Sequence, residues 1–345
     1  MPASVPGMTV AAERSPCRVA VTGAAWPLGR RVVQLLEAAG RYDVHPVLRP
    51  GDEVTMPSRV DVVVHLAPGD HDALVERRRS AVTGTPELLA AAAERDAAHV
   101  VLLSSAMVYG AWPNNPVPLT EEAALRPDQS FAFARQLATV EQLVDDWRRG
   151  RRGRTAAVLR PVPAMAADGT SGLVRALAAG LGGRLAEDDV PAQFLHLDDL
   201  ADAVVLSVGS RLDGVFNVAP DGSVPGPRVR ALTGMPPRIQ LPDRLAEWLA
   251  DMRWRFQRGP IPPGLRPYTR SQWLVANDRL RAAGWVPTVT NEQAYVEGTE
   301  ARWWTMLTPK RKQELSLGLA IVGVGAACVA AVVAALRARR RRHRG

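Results

Sequence analysis

Residues 17–40, CRVAVTGAAWPLGRRVVQLLEAAG, constrain this chain more than any other stretch. A short apolar run stops at Gly23, a run of helical period follows almost at once, and Gly40 closes it. Strand, tight turn and helix in so few residues predict a strand of a parallel sheet with its helix laid back across one face. The alternation continues along the chain. Strands are predicted at residues 43–48, 60–66 (VDVVVHL), 99–103 (HVVLL) and 155–159, and helices at 87–98 and 131–148. Strands this uniformly apolar are buried on both faces, so the expected fold is α/β with a doubly wound parallel sheet. No internal repeat interrupts the pattern.

The sheet domain is predicted over residues 17–163, behind a flexible lead-in at 1–16. Beyond residue 164 the pattern loosens, with Pro- and Gly-rich links at 222–227 and 259–267. Residues 164–305 read as a smaller C-terminal, substrate-side domain that returns a strand and a helix to the sheet. Within it residues 244–258, RLAEWLADMRWRFQR, mix Trp and Arg. Packing of Trp248 and Trp254 into the core is the favoured reading, contact with lipid headgroups the alternative.

Charge is concentrated at one end. The net charge is +8, and residues 310–345 hold nine Lys or Arg and one acid, so residues 1–309 sum to zero. A nucleic-acid role is therefore not expected, since it calls for cations on the folded body. The 22 residues at 315–336 carry no charge and as a helix would span about 33 Å, against about 30 Å of hydrocarbon. They predict a C-terminal transmembrane helix, preceded by an interfacial linker at 306–314 and followed by a basic tail at 337–345. Positive-inside reasoning would put the six tail arginines in the cytoplasm, while the lack of a signal-like N-terminus would put the main domain there. One crossing cannot satisfy both. The favoured arrangement is a cell-membrane protein with a cytoplasmic main domain, the side of the tail left open. Cys17 and Cys328 are the only cysteines, so neither a disulfide framework nor a metal site is expected.

Several segments, in order, carry a family resemblance: TGAAWPLG at 22–29, Leu66-Ala67 at a strand end, SSAMVYG at 104–110, FLHLDDLA at 194–201, GVFNVA at 214–219 and ANDRLRAAGWVP at 276–287. Together they resemble the extended short-chain dehydrogenase/reductases, the NAD-dependent epimerase/dehydratase family. The resemblance implies a Rossmann-type domain that binds NAD or NADP through Gly23, Ala24, Trp26, Leu28, Gly29, Arg49, Leu66 and Ala67. Arg49 stands where NAD-selective members place an acid, which favours NADP. Only 11 residues separate Arg49 from Asp61, too few for the helix and edge strand found there in the family. Trp26 replaces the glycine that lets the backbone approach the phosphates. Its ring either stacks on a displaced cofactor or fills part of the site.

The family's acid–base pair is a Tyr and a Lys one helical turn apart, with a Ser or Thr polarising the substrate oxygen. Ser105 matches the hydroxyl position. Phe133 falls at the Tyr position and Leu137 at the Lys position, and neither can transfer a proton. Arg135 points off that helix face, Tyr109 and His65 match residues without catalytic use, and Asp198 and Asp199 read as helix caps beside His196. Two functions follow. One is a membrane-attached NAD(P)-binding sensor or scaffold with degenerate or non-standard catalysis. The other is an active epimerase or reductase on a nucleotide-sugar or lipid-linked substrate. A homodimer through the long helix at 131–148 is implied by the resemblance.

Overall fold

The computed structural model describes residues 16–47, 56–66, 77–182, 190–233 and 263–299. Six strands form one sheet: β1 (Cys17–Thr22), β2 (Tyr42–Val47), β3 (Val62–His65), β4 (His99–Leu103), β5 (Thr155–Pro161) and β8 (Gly214–Val218). Their spatial order is β2-β1-β3-β4-β5-β8, and every neighbouring pair is parallel. Two-residue strands β6 (Ala164–Met165) and β7 (Leu195–His196) pair separately, also in parallel. Among the described residues no strand lies outside β2, at the edge where the short interval after Arg49 left no room for one.

Strand periodicity decides which helix covers which face. Val19, Val21, Val62, Val64 and Leu159 pack with α1 (Pro27–Ala38) and α5 (Leu197–Ser210). Their neighbours Ala20, Val63, Val100, Leu102 and Val158 point the other way, onto α2 (Arg77–Glu94) and α3 (Ala132–Arg149). The predicted start of α2 at residue 87 is corrected to Arg77. The helix runs through Pro86, giving up one backbone hydrogen bond rather than ending there. Strand β8 completes the main sheet against β5.

A further apolar group gathers beyond the carboxyl ends of β4 and β5. It joins Met107 and Phe131 to Leu173 and Leu177 of α4 (Gly172–Gly182), Phe194, Leu265, Tyr268 and Tyr295. Asp199 is fully buried and accepts from Thr288 N (2.9 Å), Thr288 Oγ1 (2.6 Å) and Val289 N (3.0 Å). This corrects its reading as a cap. The cap of α5 is His196, whose Nδ1 accepts from Asp198 N at 3.2 Å, and Asp198 instead pairs with Arg31.

Among the described residues no helix is long and apolar enough to cross a membrane. The apolar run at 315–336, its flanks at 306–314 and 337–345, and the Trp/Arg stretch at 244–258 lie outside them. Among the described residues no cluster of three or more His, Cys, Asp or Glu could hold a metal ion.

Candidate functional site: the crevice at the strand ends

Strand β1 is flanked by β2 on one side and β3 on the other, so the chain leaves it in opposite directions and a crevice opens outside its carboxyl end. The turn into α1 is built from glycine. Gly23 has φ +72°, a left-handed conformation that costs glycine little, and its carbonyl accepts from Trp26 N at 3.0 Å. Trp26 is extended at the cap position and Pro27 opens the helix, with no side chain capping it. The first-turn N–H groups therefore stay available to an anion, helped by the helix dipole.

Gly29 is buried against that turn. An added Cβ would penetrate the Gly23 carbonyl oxygen and sit 2.7 Å from Ala24 Cα. The contacts are backbone, so they yield only if α1 moves off the turn. Gly29→Ala is expected to destabilise the fold by roughly 2–3 kcal/mol, the upper part of the over-packing range. Urea denaturation of the two proteins measures it, and a loss under about 0.5 kcal/mol would refute the close approach.

A cavity of about 500 Å³ runs from Trp26, Leu28, Gly29 and Leu66, past Ser105, to Phe133. The Trp26 ring lies over the turn: a Cβ on Gly23 would meet its Cε3 at 3.2 Å and Leu66 Cβ at 3.4 Å. The indole thus forms a wall of the cavity and leaves open space beside it. Of the expected cofactor contacts, Trp26, Leu28, Gly29 and Leu66 line the cavity, while Gly23, half-buried beside the indole, and Ala24, 8% exposed, lie at the turn behind them. Arg49 and Ala67 lie outside the described residues.

Ser105 follows β4, and its Oγ accepts from Met107 N at 3.2 Å, capping the 3-10 turn Ala106–Tyr109. Its own hydrogen has no acceptor among the described residues and is left to the cavity it lines. Phe133 also lines the cavity, whereas Leu137, one turn on, is 2% exposed and packed in the core. Arg135 is exposed. Among the described lining residues there is no Tyr, Lys, His or Cys, and the charged ones are Asp168 and Arg175. Arg31 holds Asp168 at 2.5 Å and Asp198 at 2.6 Å. The Arg31 hydrogen bond lowers the Asp168 carboxyl below its ordinary range.

Behind the cavity lies a buried polar network that sequence reasoning missed. Arg160, at the end of β5, meets Glu141 of α3 with Nη2 to Oε2 at 2.6 Å and Nε to Oε1 at 3.1 Å. Ser104 Oγ donates to the same carboxylate. Arg160 Nη1 donates to the Tyr109 hydroxyl at 2.8 Å, which donates to Asn217 Oδ1 at 2.8 Å. Burial pulls the Arg160 guanidinium down, but Glu141 and Tyr109 outweigh it and leave it above its ordinary value. Burial pushes the Tyr109 phenol up, so this tyrosine is a structural donor. His65 is also buried, between Thr22 Oγ1 at 2.9 Å and Thr85 Oγ1 at 3.2 Å.

A parallel sheet with its crevice at the switch point and a glycine turn feeding an uncapped helix define a Rossmann-type α/β protein. The chain belongs to the NAD dependent epimerase/dehydratase family, whose model matches residues 19–219. Among curated proteins it is similar to a 3-diazoavenalumate denitrifying reductase from Streptomyces sp., 29% identical over 79% of this chain and 96% of that one. Among solved structures it resembles RMD from Pseudomonas aeruginosa complexed with NADPH, with a TM-score of 0.59, 22% identity, and coverage of 82% of this chain and 96% of that one. It also resembles Thermus thermophilus UDP-glucose 4-epimerase complexed with NAD, with a TM-score of 0.58, 19% identity, and coverage of 82% and 98%.

Proposed function

We propose that this chain binds a nicotinamide dinucleotide in the crevice and lacks the family's tyrosine–lysine proton relay. The observation that carries the reading is Phe133, which lines the cavity with Ser105 where a proton donor would be needed. The residues present fit the dinucleotide. The N–H groups of the first turn of α1 would face its pyrophosphate, and Trp26 and Leu66 would flank it. NADP is favoured over NAD by Arg49. When bound, the dinucleotide supplies or accepts a hydride. Ser105 can orient an acceptor but is a poor acid. The reading includes the two-part division at residue 164 and attachment to the cell membrane through 315–336, with the main part cytoplasmic. It also includes a homodimer across α3.

A second reading, an active reductase, is favoured by the open space beside Trp26 and by the Streptomyces relative, which is named as a denitrifying reductase. A hydride acceptor that leaves no oxyanion to protonate needs no tyrosine, so losing that residue does not by itself end catalysis. A nucleotide-sugar or lipid-linked substrate belongs to this second reading.

Titration of the full chain in detergent with NADPH and NADH, followed by tryptophan fluorescence and calorimetry, tests the binding. Micromolar binding, tighter for NADPH and accompanied by a change at Trp26, is the expected result. A folded sample that binds neither at millimolar concentration would remove the cofactor from the proposal.

A further inference from the structure

We infer that residues 166–170, between β6 and α4, form a strap at the mouth of the cavity, held against α1 by Arg31, and that a dinucleotide enters and leaves by its release. The inference rests on the proposed reading of the crevice as a dinucleotide site and adds how that site exchanges its occupant.

Two walls of one cavity fix the position of the strap. Trp26, Pro27, Leu28 and Gly29 line the cavity from the start of α1, and Ala167, Asp168 and Gly169 line it from the turn. Ala167 and Asp168 are exposed as well, so the turn stands at the rim, where solvent meets the cavity. It also lies close against the helix. A Cβ on Gly169 would meet Pro27 Cβ at 2.8 Å and overlap Leu197 Cδ1, so the absence of a side chain lets the turn lie flat on the first residue of α1.

The turn has a fixed base and a tip that depends on one side chain. Thr170 Oγ1 donates to Ala166 O at 2.8 Å and accepts from Ala166 N at 3.2 Å, and Gly169 N donates to Ala166 O at 3.3 Å. The base is wedged from behind by Gly298, where a Cβ would meet Thr170 Oγ1 at 2.9 Å. For the tip, residues 167–169, the one side-chain hydrogen bond to the rest of the fold among the described residues runs from Arg31 to Asp168, at 2.5 Å.

Arg31 is held ready for that role. Its Nε donates to Asp198 Oδ1 at 2.6 Å and its Nη1 to Pro27 O at 3.2 Å. Its side chain is 20% exposed, against 62% for Asp168. The guanidinium is thus fixed to α1 and α5 and shared between two acids, and Asp168 is the partner free to swing into solvent. An ion pair exposed on one side contributes little to overall stability, and local openings that break only such a pair are frequent. Those properties suit a fastener on an exchange path.

The test uses the full chain in detergent and follows NADPH release after stopped-flow dilution, read by tryptophan fluorescence. Asp168→Asn keeps the size of the side chain and removes the pair, and is expected to speed release about fivefold, the upper end for an exposed ion pair. Gly169→Ala, which lifts the turn off Pro27 without changing a charge, is expected to speed release too. The sign is decisive. Losing a negative charge beside bound phosphates would by itself hold them more tightly and slow their escape, so slower or unchanged release in Asp168→Asn would overturn the strap. Amide hydrogen exchange at residues 167–170, measured without NADPH, is expected to quicken in both variants, and unchanged exchange would also overturn it. Faster exchange in a protein that binds no NADPH would sink the dinucleotide reading and leave the strap standing.

Discussion

Replacing Glu141 by alanine is expected to cost about 3–5 kcal/mol of stability, the range for removing one member of a buried ion pair. The carboxylate is 6% exposed and its partner Arg160 5%, so water cannot replace what is lost. Arg160 would remain charged in the interior, and Ser104 would lose the acceptor of its hydroxyl. Tyr109 and Asn217 hang on the same guanidinium, so the disturbance should spread toward β8. Glu141→Gln keeps an acceptor but removes the charge and should fall between wild type and alanine. Urea denaturation of the three proteins at neutral pH measures the series. A cost below about 1 kcal/mol for the alanine variant, typical of an exposed pair, would contradict the buried geometry.

Acid should unfold this protein well before its carboxylates titrate. Burial holds His65 down at about 4, against an ordinary value of 6.5. Burial likewise holds His99 at about 4, with its ring between Thr155 Oγ1 at 2.8 Å and Ser207 O at 3.1 Å. Each folded-state value lies below the unfolded one, so between pH 6.5 and 4 the unfolded chain binds protons that the folded chain refuses. Stability is therefore intact above pH 6.5 and falls as the pH drops toward 4, by about 3 kcal/mol for each histidine at the lower limit. The urea midpoint between pH 7 and 4.5 should fall steeply in the wild type and less steeply in the double variant His65→Gln, His99→Gln. Equal slopes would mean that these imidazoles are protonated in the folded state.

The sheet was legible because buried parallel strands announce themselves. VDVVVHL and HVVLL are apolar on both faces and end at polar or small residues, and both runs lie in the sheet. The glycine turn was legible for a related reason, since few residues can occupy Gly23 and Gly29. Placing Phe133 and Ser105 on one cavity wall follows from the order of the strands. Pairings across the fold were not legible. Glu141 and Arg160 are 19 residues apart, and Arg31 and Asp168 are 137 apart. A signal for the first pair did exist: Glu141 interrupts the apolar stripe of Leu137, Val140 and Val144, and Arg160 ends an apolar strand. Two charges that must both go inside call for each other. Asp199 misled for the opposite reason, because an aspartate in a first helical turn suits a cap so well that burial elsewhere leaves no trace in the local pattern.

The three donors that meet Asp199 also mark how far the indispensable chain extends. A polypeptide ending before Thr288 would leave that carboxylate buried with none of them, and Trp285 Nε1, which donates to the Asp199 carbonyl at 3.0 Å, would lose its seat if the cut came slightly earlier. The late segment is thus a clasp on the helix that covers the first strand. Trimming the protein back to its six-stranded sheet and covering helices would remove not a spare appendage but a counterpart that α5 needs to keep its buried carboxylate satisfied.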